Sequence, residues 1–320
     1  MTAASGLVTL GETMGLLTPE TPGPLHHARG LHLSIAGAES NVAIGVRRLG
    51  GAATWIGRVG ADEVGDLLLR ELRAEDVGVR VVRDTAPTGL MLKTIRAAGI
   101  TRVTYYRTAS AGSRLSPDDL DEALIAGAGV LHVTGITPAL GTGPAAAVRA
   151  AIEIAAGAGV PVSLDVNYRS ALWNEASARA CLRELAGRAD VVFAGESEAA
   201  LLTAASPAGP LGPADLARTI AAAGPAQVVI KRGAAGCTAV IDGAVLEQPA
   251  VPVLAVDPVG AGDAFVAGYL AELLAGQPPS VRLATAAAAG AFAVTVSGDW
   301  EGLPHRADLA LLHARDDVIR

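Results

Sequence analysis

The 320-residue chain is short of aromatic rings, asparagine, lysine and cysteine. Three Phe, three Trp and four Tyr make up only 3% of it. Asn stands only at Asn41, Asn167 and Asn174, and Lys only at Lys93 and Lys231. Alanine fills the gap at about a fifth of all residues. A GC-rich coding bias is the plain reading of that exchange, and it makes each retained Asn, Lys or ring a candidate for a specific need. The other absences exclude whole classes. Cys181 and Cys237 form no CxxC pair and no disulfide framework, which suits reduced thiols and a cytoplasmic location. The longest weakly apolar run, Ala284 to Val296, is too short for a bilayer. Met1 to Met14 lacks a basic start and carries Glu12, so a secretory leader is not expected. A net charge of -7 without basic runs argues against a nucleic-acid surface. His26, His27 and His32 share a Pro/Gly-rich loop without Cys or carboxylates at metal spacing, and read as solvated.

What remains is a chain that is 51% hydrophobic and 18% charged, ample for a full core. Short β-rich runs alternate with Ala-rich helical stretches, the rhythm of parallel βαβ units in an α/β fold. Strands are expected at Val130–Thr134, Val160–Val166, Asp190–Ala194 and Gln227–Lys231, with a hairpin partner at Thr238–Ile241. Helices are expected at Pro144–Ala156, Asp263–Ala275 and Ser280–Val296. In the second of these, Phe265, Tyr269 and Leu273 form one apolar stripe. Two segments, about 12–35 and 88–108, break the rhythm with strand-like alternation and no crossover helix, and read as a small sheet serving as a lid on a single domain of residues 1–320.

The strongest chemical signal is Asp257-Pro-Val-Gly-Ala-Gly-Asp263 leading into a helix. Glycines at a helix N-terminus turn several amides toward one point, which is an anion site. Asp263 would repel an anion there, and the conflict resolves if it is a general base beside a phosphoryl group. A helix-capping Asp is the competing reading. The segment resembles the C-terminal signature of the PfkB, or ribokinase-like, carbohydrate kinases. Ala36-Gly-Ala-Glu-Ser-Asn-Val-Ala43, followed by Leu49-Gly50, resembles that family's N-terminal substrate signature, and Gly57-Arg-Val-Gly60 with Asp62, Gly65 and Gly78 resembles the stretch after it. The resemblance covers essentially the whole chain.

It implies a ribokinase-like three-layer αβα sandwich with a mainly parallel central sheet and a small β-sheet lid. It implies an ATP- and Mg2+-using kinase in which Asp263 is the base and the amides of Gly260, Ala261 and Gly262 hold the transferred group. Gly37, Ala38, Glu39, Ser40 and Asn41 would meet the sugar. Lys231, Arg232, Gly233, Ala234, Ala235 and Gly236 resemble the family's strand-turn beside the nucleotide, with Asn167, Tyr168 and Arg169 close to both ligands. Gly195-Glu-Ser-Glu198 resembles an NxxE motif in which Glu198 orients hydrated Mg2+, although Gly195 stands where Asn is usual. No Walker A pattern occurs. The family also implies a homo-oligomer, a dimer through the lid.

For the sugar, Tyr105-Tyr106-Arg107, Asp165-Val-Asn-Tyr-Arg169 with Leu172-Trp173, and Gly11-Glu12-Thr-Met14 with Pro19 resemble the 2-keto-3-deoxygluconate kinase branch. That resemblance implies that Tyr105, Arg107 and Arg169 meet the acid end with Met91 nearby, and that Asp299 lies at the end near the base. Neutral-sugar relatives often carry an Asp after the first strand, where this chain has Met14, Gly15 and Leu16. The loss of a carboxylate beside Arg107 and Arg169 would favour a sugar acid. A fructose or ribose kinase, a 5-dehydro-2-deoxygluconate kinase and a non-catalytic sugar-binding regulator remain open.

Overall fold

In the computed structural model, residues 6–95, 101–203 and 211–313 are described. Residues 96–100 of the second expected lid segment lie outside them, as do the first five residues. Thirteen strands follow in chain order: β1 (Leu7–Leu10), β2 (Met14–Pro19), β3 (Leu31–Ala36), β4 (Ala53–Gly60), β5 (Gly78–Asp84), β6 (Leu90–Ile95), β7 (Thr101–Tyr106), β8 (Val130–Thr134), β9 (Val162–Asp165), β10 (Val191–Gly195), β11 (Gln227–Lys231), β12 (Cys237–Ile241) and β13 (Ala244–Gln248). Nine of them form one sheet in the order β13-β12-β11-β10-β9-β8-β1-β4-β5. It is parallel from β11 to β5, with β12 and β13 added antiparallel at one edge.

Both faces of this sheet are covered, so its strands read as continuous apolar runs. Consecutive residues go to opposite cores: Leu7, Trp55, Val130, Val191, Phe193 and Val229 to one, and Val8, Ile56, Leu131, Val192, Ala194 and Val228 to the other. Helices α1 (Ala38–Arg48), α2 (Glu63–Ala74), α8 (Ala261–Leu274) and α9 (Pro279–Ala293) cover the first face. The helices α3 (Glu122–Ala126), α4 (Thr142–Ala158), α5 (Glu175–Ala186), α6 (Glu196–Thr203) and α7 (Pro213–Ala221) cover the second. The result is the three-layer αβα sandwich. Phe265 and Tyr269 of the expected stripe pack edge-on against Phe193 at 6.4 and 5.2 Å, which places three of the scarce rings in packing.

The expected elements are present with shifted ends. Helix α8 begins two residues before Asp263, because Gly260 at φ +78° supplies the left-handed turn that starts it. Helix α9 ends at Ala293 and not Val296, since the Val294 carbonyl accepts the amides of Val256 and Asp257.

The second sheet has four strands in the order β3-β2-β6-β7. It joins the two expected segments through the parallel pair β2–β6, Gly15↔Leu90 to Leu17↔Leu92. The chain passes from the large sheet to the small one across Gly11, Glu12 and Thr13. That crossing lies beside a topological switch. From β1 the chain builds outward through β4 and β5, then returns to β8 and builds the other way. Crevices form at the carboxyl ends of strands where the order reverses, and ligands bind there.

Candidate active site

A cavity of about 670 Å3 occupies that crevice. The segments following β1, β8 and β10 supply Glu12, Ile136 and Glu198, and the last residues of β9 and β11 are Asp165 and Lys231. The small sheet supplies Met91, Val103 and Tyr105, with Arg107 just beyond β7. A second cavity, also about 670 Å3, lies between loop residues 250–255 and α9, lined by Val251, Val253, Phe265, Ala287, Ala291 and Val294. Lys231, Pro258 and Gly262 line both. The polar and the apolar cavity therefore meet at the glycine loop.

Asp263 stands at that junction, in the first turn of α8. Gly260 is the N-cap and Asp263 makes no capping bond, which removes the competing reading. Its Oδ2 accepts a 2.9 Å hydrogen bond from Asn41 Nδ2, across 222 residues of sequence. Asn41 is likewise no cap; it lies inside α1, and its Oδ1 is buried without a partner among the described residues. An orphaned buried acceptor is costly, and a ligand hydroxyl would satisfy it. Burial, and then the nearby Asp299, push the Asp263 carboxyl up to about 7. Asp299 is itself raised to about 6, first by loss of solvent around its carboxyl.

Gly37 precedes α1 where a Cβ would come within 2.8 Å of the Glu12 carbonyl and 2.9 Å of Ser40 Oγ. Glu39 reaches the wall, but its Oε1 already accepts from Thr134 at 2.7 Å and Thr137 at 2.6 Å, and burial raises its pKa. Gly11 makes room for that carboxylate, since a Cβ there would lie 2.4 Å from it. Ser40 turns its hydroxyl back to the Gly37 carbonyl at 2.9 Å and lies behind the wall.

Lys231 holds Asp165 with 2.8 and 2.9 Å bonds to both oxygens. Burial opposes its ammonium, but Asp165, Glu198 and Asp263 together outweigh that and raise its pKa. Glu198 accepts the Gly195 amide at 2.7 Å and the Tyr168 amide at 2.9 Å, one on each oxygen. A carboxylate has further lone pairs, so a water can still bind. Asn167 has φ +40°, a backbone that Asn tolerates better than most residues. Asn167, Tyr168 and Arg169 line the polar cavity only, on the side of Lys231 and Glu198.

Several expectations need correcting. Tyr106 is 62% exposed and lines neither cavity, because β7 alternates and only Val103 and Tyr105 face inward. Arg232 turns away to Glu247 and Thr238, both at 3.1 Å, and Ala235 also misses both cavities. Gly233, Ala234 and Gly236 do line the apolar one, with Ala261. Most important, the sugar side has not lost its carboxylate. Glu12, 3% exposed, pairs with Arg107 through bonds of 2.7 and 2.5 Å and accepts from Ser110. The charge of Arg107 is thereby compensated, while Arg169 makes no ion pair among the described residues. Glu12 and Asp165 stand in segments that the resemblance singles out, but their pairing with Arg107 and Lys231 is not evident from the sequence.

A buried carboxyl in the first turn of a helix that a glycine loop opens, at the seam of a polar and an apolar cavity, fits a class: enzymes that transfer a group between two substrates. Comparison with known proteins makes it specific. Residues 4–306 match the pfkB family carbohydrate kinase model. The chain is 38% identical to a Bacillus subtilis 2-dehydro-3-deoxygluconokinase, over 95% of this chain and 94% of that one. It is 37% identical to a Klebsiella pneumoniae fructokinase, over 94% and 96%. An E. coli structure in complex with ATP and Mg2+ superposes with a TM-score of 0.88 at 26% identity, covering 98% of this chain and all of that one. The chain belongs to the pfkB family of carbohydrate kinases, phosphotransferases that act on a sugar hydroxyl.

Proposed function

We propose that this kinase transfers the terminal phosphoryl group of ATP to the 6-hydroxyl of 2-dehydro-3-deoxy-D-gluconate, giving the 6-phosphate and ADP. The observation that carries the transfer is Asp263, buried between Asn41 and the glycine loop where the two cavities meet. Asp263 takes the proton of the attacking hydroxyl as the new O–P bond forms and the bridging bond to ADP breaks. A carboxyl near 7 is half ionised at neutral pH, which suits a base. The amides of Gly260, Ala261, Gly262 and Asp263 meet the charge growing on the transferred group, with Lys231 beside them. The apolar cavity takes the nucleobase, in space left by Ala287, Gly290 and Ala291.

For Mg2+ the donor set fits an ion held mainly by phosphates and water. No cluster of three metal-ligating side chains occurs among the described residues, and Mg2+ commonly keeps several waters beside one or two carboxylates. Glu198 would hold it through water, and the bound ion supplies positive charge to the phosphate oxygens.

The sugar assignment draws on the relative named above and on Arg169, the cation on the wall with no carboxylate partner among the described residues. In this pose the sugar carboxylate meets Arg169, Tyr105 and the outer edge of Arg107. The buried Glu12 favours a second reading, a fructokinase, because a carboxylate accepts from neutral hydroxyls. A coupled ADP-release assay over sugar acids and neutral sugars separates them. The expected result is the highest kcat/KM with 2-dehydro-3-deoxygluconate or its galactonate epimer; a higher value with fructose or ribose overturns the assignment.

A further inference from the structure

Lys93 is one of only two lysines in the chain, and its side chain is 1% exposed. It lies on β6 two residues beyond Met91, so both project from the same face of the small sheet toward the large one. Its Nζ donates to Asp257 Oδ2 at 2.5 Å and to the Gly298 carbonyl at 2.8 Å. Asp257 also accepts the Val259 amide on Oδ1 at 3.1 Å and the Gly298 amide on Oδ2 at 3.3 Å. Asp257 opens the glycine loop, and Gly298 precedes Asp299. These two segments touch again at Gly260, where a Cβ would come within 2.0 Å of the Asp299 carbonyl. One ammonium thus joins the small sheet, the loop that carries the amides and the turn that carries Asp299.

Stability is a weak reason for such a pair. Taking two charges out of water is costly, and apolar side chains of similar volume often serve as well. Aim is a stronger reason, since a displacement of about 1 Å in a positioned group costs about a hundredfold in rate. We propose that Lys93 is a positioning residue for phosphoryl transfer, a built-in cation that fixes the glycine loop through Asp257 and makes its placement depend on the small sheet. The proposal rests on the reading of Gly260 to Asp263 as the cradle of the transferred group. It carries a corollary: with Lys93 in place, added small cations have no vacant site to fill, and without it the oxygens of Asp257 and Gly298 form one.

Lys93→Met removes the ammonium and keeps an apolar stem of nearly the same length. The expected result is a kcat lowered about a hundredfold with the sugar KM within about threefold of wild type. Millimolar ammonium or methylammonium should restore at least tenfold of the loss and leave the wild type unchanged, a response that a merely structural lysine would not give. The double variant Lys93→Met/Asp257→Asn leaves no unpaired charge at this point, so it should keep the wild-type thermal midpoint while remaining slow and unresponsive to ammonium. A kcat within threefold of wild type in either variant overturns the proposal, as does Lys93→Met that ammonium cannot rescue. Asp263→Asn, assayed in parallel, separates the two ideas: if it retains full rate, the reading of the loop fails and not the placement by Lys93.

Discussion

The two cavities have the same volume and opposite construction. The polar one is walled by Glu12, Glu39, Asp165, Glu198, Asp263 and Asp299, most of them held by partners from distant elements. The apolar one is walled mainly by short side chains of a loop and of α9, with no comparable set of polar contacts. The first recognises by direction, because each buried charge must have its donor or acceptor in place. The second recognises by space left vacant. In the proposed function this division suits the two ligands. The reacting hydroxyl needs aimed charges, whereas a nucleobase that only anchors its phosphates needs room.

Three substitutions test that division, in descending order of effect. Asp263→Asn, on the polar side, should lower kcat by about three to four orders of magnitude, the full worth of a general base. In the wild type the rate should rise about tenfold per pH unit below pH 7 and level off above it, because the base form grows as its carboxyl, near 7, ionises. That limb should vanish in the residual activity of the variant. The same change should stabilise the fold. A carboxyl whose folded pKa lies above its unfolded value binds more protons when folded between about pH 4 and 7, so stability falls with rising pH across that window. Removing the charge should return about 1–2 kcal/mol at pH 8, read as a higher thermal midpoint. A destabilised variant would show that the charge is better accommodated than its burial implies.

Arg169→Ala tests direction at a second charge on the wall of the polar cavity. Loss of a charge-assisted hydrogen bond to a sugar carboxylate should raise the KM for the acid about 10- to 100-fold and leave the KM for fructose unchanged. Equal effects on both would move recognition to Glu12 and the fructokinase reading. Ala291→Trp tests space. It should raise the KM for ATP about tenfold, in line with the cost of overfilling a packed site, with the sugar KM unaltered. If the sugar KM moves as much, the cavities are not independent.

The parts legible in the sequence were those written locally. Strands β8 to β11 and the helices between them could be read because a strand buried on both faces is an apolar run. The glycine loop could be read because its amides converge within a few residues, and the Ala36 to Ala43 stretch because it resembles the family's N-terminal signature. The pairings of Glu12, Asp165 and Lys93 were not legible. Their partners lie 95, 66 and 164 residues away, and no periodicity connects such positions. Glu12 shows the cost of that blindness, since a sugar side read as having lost its carboxylate contains one tucked under Arg107. Scarcity was a partial guide. It pointed to Asn41, Asn167, Lys231 and Tyr105 at the cavity and applied equally to Lys93, but Asn174 only caps α5, and Trp55 and Phe193 only pack.

The bond between Asn41 and Asp263 spans most of the chain, and the short contact of Ser34 with Glu301 spans more. During synthesis, the first of these residues leaves the translating machinery long before the second has been made. The hydroxyl-facing half of the site must therefore wait for a helix that completes it from the other end. Loop closure over such a distance is slow relative to local structure. On refolding, helical signal should return well before activity does.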